Sequence, residues 1–79
     1  MNHAEALSKR DKALEKLYEP LYARKRDRKP VPPLVMDHYN QTAAALLTLL
    51  KTDRDEHARR YYSQRKSEID KMFEDIDIE

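Results

Sequence analysis

The chain has no cysteine and no glycine. Without cysteine, no disulfide or thiolate metal site can staple the fold, and the redox compartment leaves no mark. Without glycine there is no phosphate-cradling loop, no dinucleotide fingerprint and no nucleophile elbow. Each of these needs a residue lacking Cβ where backbone meets ligand or turns sharply. Long apolar runs are missing as well. The uncharged stretch Gln41–Leu50 is far too short to span a bilayer, and the amino terminus MNHAEALSKRDK has no apolar signal core. These absences predict a cytosolic protein, or a nuclear one in a eukaryote, with no membrane partner.

Catalytic and metal-binding patterns are equally scarce. The three serines, Ser8, Ser63 and Ser67, make no nucleophile arrangement with a histidine. The three histidines are scattered. His57 stands four residues after Asp53, a spacing that could share a metal on one helix, but structural zinc needs four ligands and no third is near. His38 adjoins Asp37, and neighbours on a helix point apart. The histidines therefore read as ordinary surface residues. Asp70, Glu74 and Asp77 align along one helix face and read as a solvated row. No catalytic, cofactor-binding or metal-binding residue is predicted.

What is present is charge with helical periodicity. At 79 residues the chain makes one domain, and its 39% charged content equals its apolar content. A chain of this size buries roughly 60% of the surface its unfolded form exposes. Elongated helices with a thin core, completed by self-association or by a partner, fit those limits. The net charge of +1 is unevenly placed: +4 over residues 1–29, zero over 30–52, +2 over 53–67 and −5 over 68–79. That pattern predicts a basic surface and an acidic tail.

The periodicity divides the chain into three helices. Asn2 followed by Glu5 is a capping box that opens the first, over about residues 3–28. Leu7, Leu14, Leu17, Tyr18, Leu21 and Tyr22 share one face, extended by Ala4. Pro20 lacks an amide hydrogen and its ring clashes with the Lys16 carbonyl. The helix either bends there and continues, or stops at Glu19 and restarts with Pro20 as its first residue. The apolar stripe keeps its phase through Leu21 and Tyr22, which favours a kink. A stiff proline-rich linker follows over 29–33.

The second helix runs over about 34–51, with Val35, Met36, Tyr39, Ala43, Leu46, Leu47 and Leu50 on its buried stripe. Asp53 with Glu56 reads as another capping box, opening a third helix over about 54–74. The short turn between them favours an antiparallel hairpin. Ala58, Tyr61, Tyr62, Ile69, Met72, Phe73 and Ile76 make the third stripe. The tail 75–79 is acidic at a helix C-terminus, the wrong sign for the dipole, and is expected to fray. The predicted fold is all-α, a three-helix bundle with a proline-kinked first helix.

Three features point outward. Arg24, Lys25, Arg26, Arg28 and Lys29 form a basic cluster that could contact the phosphates of nucleic acid, with Tyr18 and Tyr22 upstream as stacking aromatics. Asp27 interrupts the cluster, and a solvated helix end explains it as well. Pro30 and Pro33 have the spacing of a ligand for aromatic grooves, although Asp27 holds the position where a basic residue is usual. Arg65 stands inside an apolar stripe. It can snorkel, pair with Asp11 of the first helix, or face a partner chain. Tyr18, Leu21, Tyr22 and Arg65 are the candidate partner-binding residues.

Ala13–Arg26, ALEKLYEPLYARKR, resembles the long-helix segment of the nucleosome assembly protein and SET family of histone chaperones. Leu17, Tyr18, Pro20, Leu21, Tyr22, Lys25 and Arg26 follow that family's leucine-aromatic-x-proline-aromatic pattern and its trailing basic pair. Thr52–Tyr61, TDRDEHARRY, is similar to the family's acidic-then-helical segment. Together the segments cover about a third of the chain. Pro30–Pro33 replaces a tryptophan-containing stretch of the family. The resemblance implies histone binding and a dimerising helix around Leu14–Tyr22. The function expected from all these features is a non-catalytic protein–protein interaction module: an adaptor, inhibitor or assembly factor. Its partner would be another protein chain, a second copy included. Nucleic-acid association and histone-chaperone-like binding are the alternatives.

Overall fold

The computed structural model describes the backbone of residues 2–78 and the side chains of residues 2–76. Four α-helices account for nearly all of it: α1 (His3–Leu17), α2 (Glu19–Arg26), α3 (Pro33–Lys51) and α4 (Asp55–Ile78). No strand occurs among the described residues.

The expected first helix is two helices, not one kinked helix. Tyr18 closes α1 and opens α2, with φ −108° and ψ 35° outside helical values. Its amide still donates to the Leu14 carbonyl, while Leu21 and Tyr22 both donate to its own carbonyl. Pro20 therefore sits in the first turn of α2, where a missing N–H breaks no bond. The break spans one residue, so Leu14, Leu17, Tyr18 and Leu21 still enter a common core.

Both later turns end in the same device. Arg28 (φ 57°) and Asp53 (φ 55°) adopt the left-handed conformation just past a helix end. Lys29 N–H donates to the Arg24 carbonyl and Arg28 N–H to Lys25; Arg54 N–H donates to Leu49 and Asp53 N–H to Leu50. These are two Schellman closures, and each satisfies carbonyls that the helix leaves without partners. Asp53 thus lies in the closure of α3, and the next helix starts at Asp55. The capping box at Asn2 forms as expected: its Oδ1 accepts from the Glu5 amide at 2.8 Å.

Side-chain contacts give the helix directions. Tyr18 meets Thr42 and Tyr22 meets Tyr39, so the α1–α2 leg runs antiparallel to α3. His38 meets Glu68 while Arg65 reaches Gln41, so α3 and α4 are antiparallel as well. Lys9 lies beside Asp55 and Arg24 over Phe73, so α1–α2 and α4 run the same way. The core contains Leu14, Leu17, Tyr18 and Leu21 from the first leg, Val35, Leu46 and Leu50 from α3, and Ala58, Ile69 and Phe73 from α4. Ala6 joins it, whereas Ala4 is exposed and Leu7 only half-buried.

The segment expected to fray is helical to Ile78. Phe73 is buried and Ile76 packs against the core. That apolar contact outweighs an unfavourable dipole term of about 0.3–1 kcal/mol. Glu79 and the carboxylate of Asp77 lie outside the described residues.

Candidate functional site

A polar chain crosses the core between all three legs. Tyr18 is fully buried, and its hydroxyl lies 2.8 Å from Thr42 Oγ1, 2.7 Å from His38 Nδ1 and 3.1 Å from the His38 carbonyl. The Thr42 hydroxyl donates to that same carbonyl at 2.8 Å. On the other side of the imidazole, His38 Nε2 is 2.7 Å from Glu68 Oε2. Arg65 donates to the same carboxylate oxygen at 2.9 Å and to the Tyr61 hydroxyl at 2.9 Å, with its guanidinium 5.1 Å over the Tyr61 ring. Beside this chain Tyr22 and Tyr39 share a hydroxyl–hydroxyl bond of 2.8 Å, and Tyr39 packs edge-on against Tyr18.

Neighbouring groups set the ionisation of this chain. Burial pushes the Tyr18 phenol up to about 12, against the pull of its bond to Thr42. Burial, reinforced by the hydrogen bond to Tyr39, raises the Tyr22 phenol still further. The bond from His38, opposed by partial desolvation and assisted by Arg65, holds the Glu68 carboxyl below its ordinary value. No buried side-chain nitrogen or oxygen among the described residues lacks a partner.

Tyr18 has a single proton for two short contacts, His38 Nδ1 and Thr42 Oγ1. With a neutral ring whose Nε2–H donates to Glu68, Tyr18 donates to Nδ1 and its contact with Thr42 is left without a proton, because Thr42 donates to the His38 carbonyl. With a charged ring, Nδ1–H donates to Tyr18, Tyr18 to Thr42, and Thr42 to the His38 carbonyl. Tyr18 and Thr42 are both at 0% exposure, which denies substrate access at that end.

Several sequence-based expectations change. His38 is no ordinary surface histidine: its side chain is 11% exposed and bonded on both nitrogens. Tyr18 and Leu21 are buried inside the chain's own core, so a partner cannot reach them in the folded molecule. Tyr22 is half-buried with its hydroxyl engaged. Arg65 is spoken for by Tyr61, Glu68 and Gln41 and does not meet Asp11, which pairs with its neighbour Arg10 at 3.0 Å. Asp53 lies in a turn, not on a helix with His57, and among the described residues no three His, Asp or Glu side chains gather to hold a metal ion. Nothing in the sequence flagged Thr42 or Glu68. A threonine and a glutamate on helices lack any local signature, and their partners are distant in sequence.

The basic cluster is split by the fold. Lys25, Arg26, Arg28 and Lys29 are exposed, while Arg24 folds back with its guanidinium 5.8 Å over Phe73. Val31 packs against the core and Pro33 begins α3, so the proline run is part of the bundle and not a free extended ligand.

A surface groove lies along the seam of α1 and α4, over α3. It encloses about 420 Å³ and is lined by Lys9, Ala13, Leu46, Leu50, Asp55, Ala58, Arg59, Tyr62 and Ser63. Shallower hollows at Lys12 and Lys16, and then at Pro20, Ala23 and Lys66, continue the seam toward α2. No helix among the described residues is long and apolar enough to cross a membrane. Comparison with family models, with curated proteins and with solved structures finds no match.

Proposed function

We propose that the chain is a non-catalytic helical module for protein–protein interaction, working as an adaptor, inhibitor or assembly factor. The observation that carries this reading is where the polar chemistry goes. Tyr18, His38, Thr42, Glu68 and Arg65 are bonded to one another between the helices, and the outer faces of the described residues are charged on α1, α2 and α4 and uncharged along most of α3, with a groove over Leu46 and Leu50. We read the four helices as three legs of an open bundle, α1–α2, α3 and α4, with the antiparallel α3–α4 pair as its fixed half. Such a scaffold supports recognition by helix faces.

The test is affinity capture by the tagged chain from its host, with mass spectrometry and with nuclease treatment in parallel. A protein partner retained after nuclease supports the module. Recovery of nucleic acid, lost at raised salt and on reversing Arg24, Lys25 and Arg26, supports the second reading instead. That second reading rests on the exposure of Lys25, Arg26, Arg28 and Lys29. A histone-chaperone-like role draws its support only from the resemblance of Ala13–Arg26. Its dimerising helix, Leu14–Tyr22, packs here against α3 and α4, so dimerisation through that face requires the first leg to lift away.

A further inference from the structure

Two legs of this bundle, α1 and α4, run in the same direction, and α3 lies antiparallel to both. In a four-helix bundle of alternating direction, two parallel helices stand on a diagonal, with an antiparallel helix on either side of them. One of those two places is filled by α3. The other is the seam where the groove lies. Its floor is Leu46 and Leu50 of α3, seen between Ala13 of α1 and Ala58 and Tyr62 of α4. The small side chains Ala13 and Ala58 leave room for a close approach.

The charges along the seam are net positive, with Lys9, Lys12, Lys16, Arg59 and Lys66 against Asp55, Glu19 and Asp70. Lys9 pairs with Asp55 at 3.8 Å, and Lys66 with Asp70 at 3.7 Å. Between those pairs Lys12, Lys16 and Arg59 line the groove and its extension with no ion-pair partner among the described side chains. From Asp55 to Lys66 the seam follows α4 for about three turns.

We propose that this seam binds an acidic amphipathic helix of a partner protein, antiparallel to α1 and α4, as the fourth helix of the bundle. This rests on the interaction-module reading and specifies its partner's chemistry. The partner's apolar residues, at i, i+3, i+4 and i+7, would cover the half-buried Ala13 and Tyr62 above the buried floor of Leu46, Leu50 and Ala58. Its flanking carboxylates would meet Lys12, Lys16 and Arg59.

The probe is a fluorescein-labelled designed peptide of about 18 residues, five helical turns, with that leucine spacing and glutamate flanks. Two controls accompany it, one with lysine flanks and one with the same composition in scrambled order. Anisotropy titration with the full chain is expected to show the acidic helix binding at least about tenfold tighter than either control. The surface variant Lys12→Glu/Lys16→Glu, with its helicity verified by circular dichroism, is expected to lose at least about fivefold. Equal binding of the acidic and lysine peptides, or an unchanged affinity in that variant, overturns the proposal. So does a self-associated chain in sedimentation whose dimer the peptide cannot dissociate. If the variant still captures the wild-type partner from lysate, the groove proposal falls while the interaction module stands; if capture finds no protein partner, both fall.

Discussion

Tyr18 carries one proton and lies within hydrogen-bond reach of two acceptors on His38 and one on Thr42. Removing its hydroxyl leaves a buried threonine and an imidazole nitrogen competing for fewer partners, and an unsatisfied buried polar group costs about 1–3 kcal/mol. Tyr18→Phe is accordingly expected to destabilise by that amount in urea unfolding. Thr42→Val in the same background should add less than it does alone, because the two hydroxyls share one network. Simple additivity would show that they do not. The ionisation shifts make a second residue-scale expectation. Glu68 titrates lower in the fold than in the unfolded chain, so its contribution is present above the unfolded carboxylate value and is lost as pH falls through the lowered folded value. Tyr18 has the opposite sign: its contribution is full below the ordinary value of 10 and is lost as pH rises toward about 12. A stability–pH profile should therefore drop at both ends, and Glu68→Gln should flatten the acid limb alone. An acid limb of unchanged slope in that variant would remove Glu68 from the account. Of this network Tyr18 and Arg65 were legible in the sequence, the one as an aromatic on the first helix's stripe, the other as a cation standing in an apolar stripe. His38, Thr42 and Glu68 escaped because their partners lie 20, 24 and 30 residues away, beyond any helical period.

At the scale of elements, a chain without glycine must close two helices in the left-handed conformation with ordinary residues, Arg28 and Asp53. That conformation costs an L-residue roughly 1–2 kcal/mol, against roughly 0.5–1 kcal/mol of extra chain entropy lost by glycine. Arg28 is exposed, so Arg28→Gly is expected to gain about 0.5–1 kcal/mol and raise Tm by a few degrees. A lower Tm in differential scanning calorimetry would mean that the arginine side chain contributes more than its backbone strain removes. The same absence bears on the role of Asp53, although the helix expected from about residue 54 does start at Asp55. An aspartate with a glutamate three residues on reads as a helix start, yet here Asp53 serves the end of the helix before it, since no glycine was present to mark that end. Asn2 with Glu5 carried the same pattern and was legible: Asn2 Oδ1 accepts from the Glu5 amide and opens α1. Pro20 was legible as a perturbation, but its outcome was not. The stripe keeps its phase through a one-residue break as well as through a kink, so periodicity cannot separate the two.

Over the whole molecule, the charge asymmetry of the sequence changes meaning once the legs are assembled. Residues 1–29 carry +4 and residues 68–79 carry −5, far apart along the chain. The parallel run of α1–α2 and α4 brings the end of α2 beside the end of α4, where Arg24 lies over Phe73. The basic cluster and the described acids Glu74 and Asp75 thus occupy the same end of a bundle 41 Å long, within reach of each other's fields at low salt. The linear pattern suggested a basic surface and a separate acidic tail; the folded arrangement makes them neighbours that attract. This attraction acts mainly between exposed groups, so mobile ions should screen it, whereas the buried bonds of Tyr18 and His38 should respond little. Raising sodium chloride from about 0.02 to about 0.5 M, which shortens the Debye length from above 20 Å to roughly 4 Å, is expected to lower Tm by a few degrees at neutral pH. Charge reversal of Lys25 and Arg26 should invert that response, since like charges at the same end would then gain from screening. A Tm that is flat or rising with salt in the wild-type chain would show that the two segments do not feel each other. Lys25, Arg26, Arg28 and Lys29 would then be electrostatically available to an anionic partner.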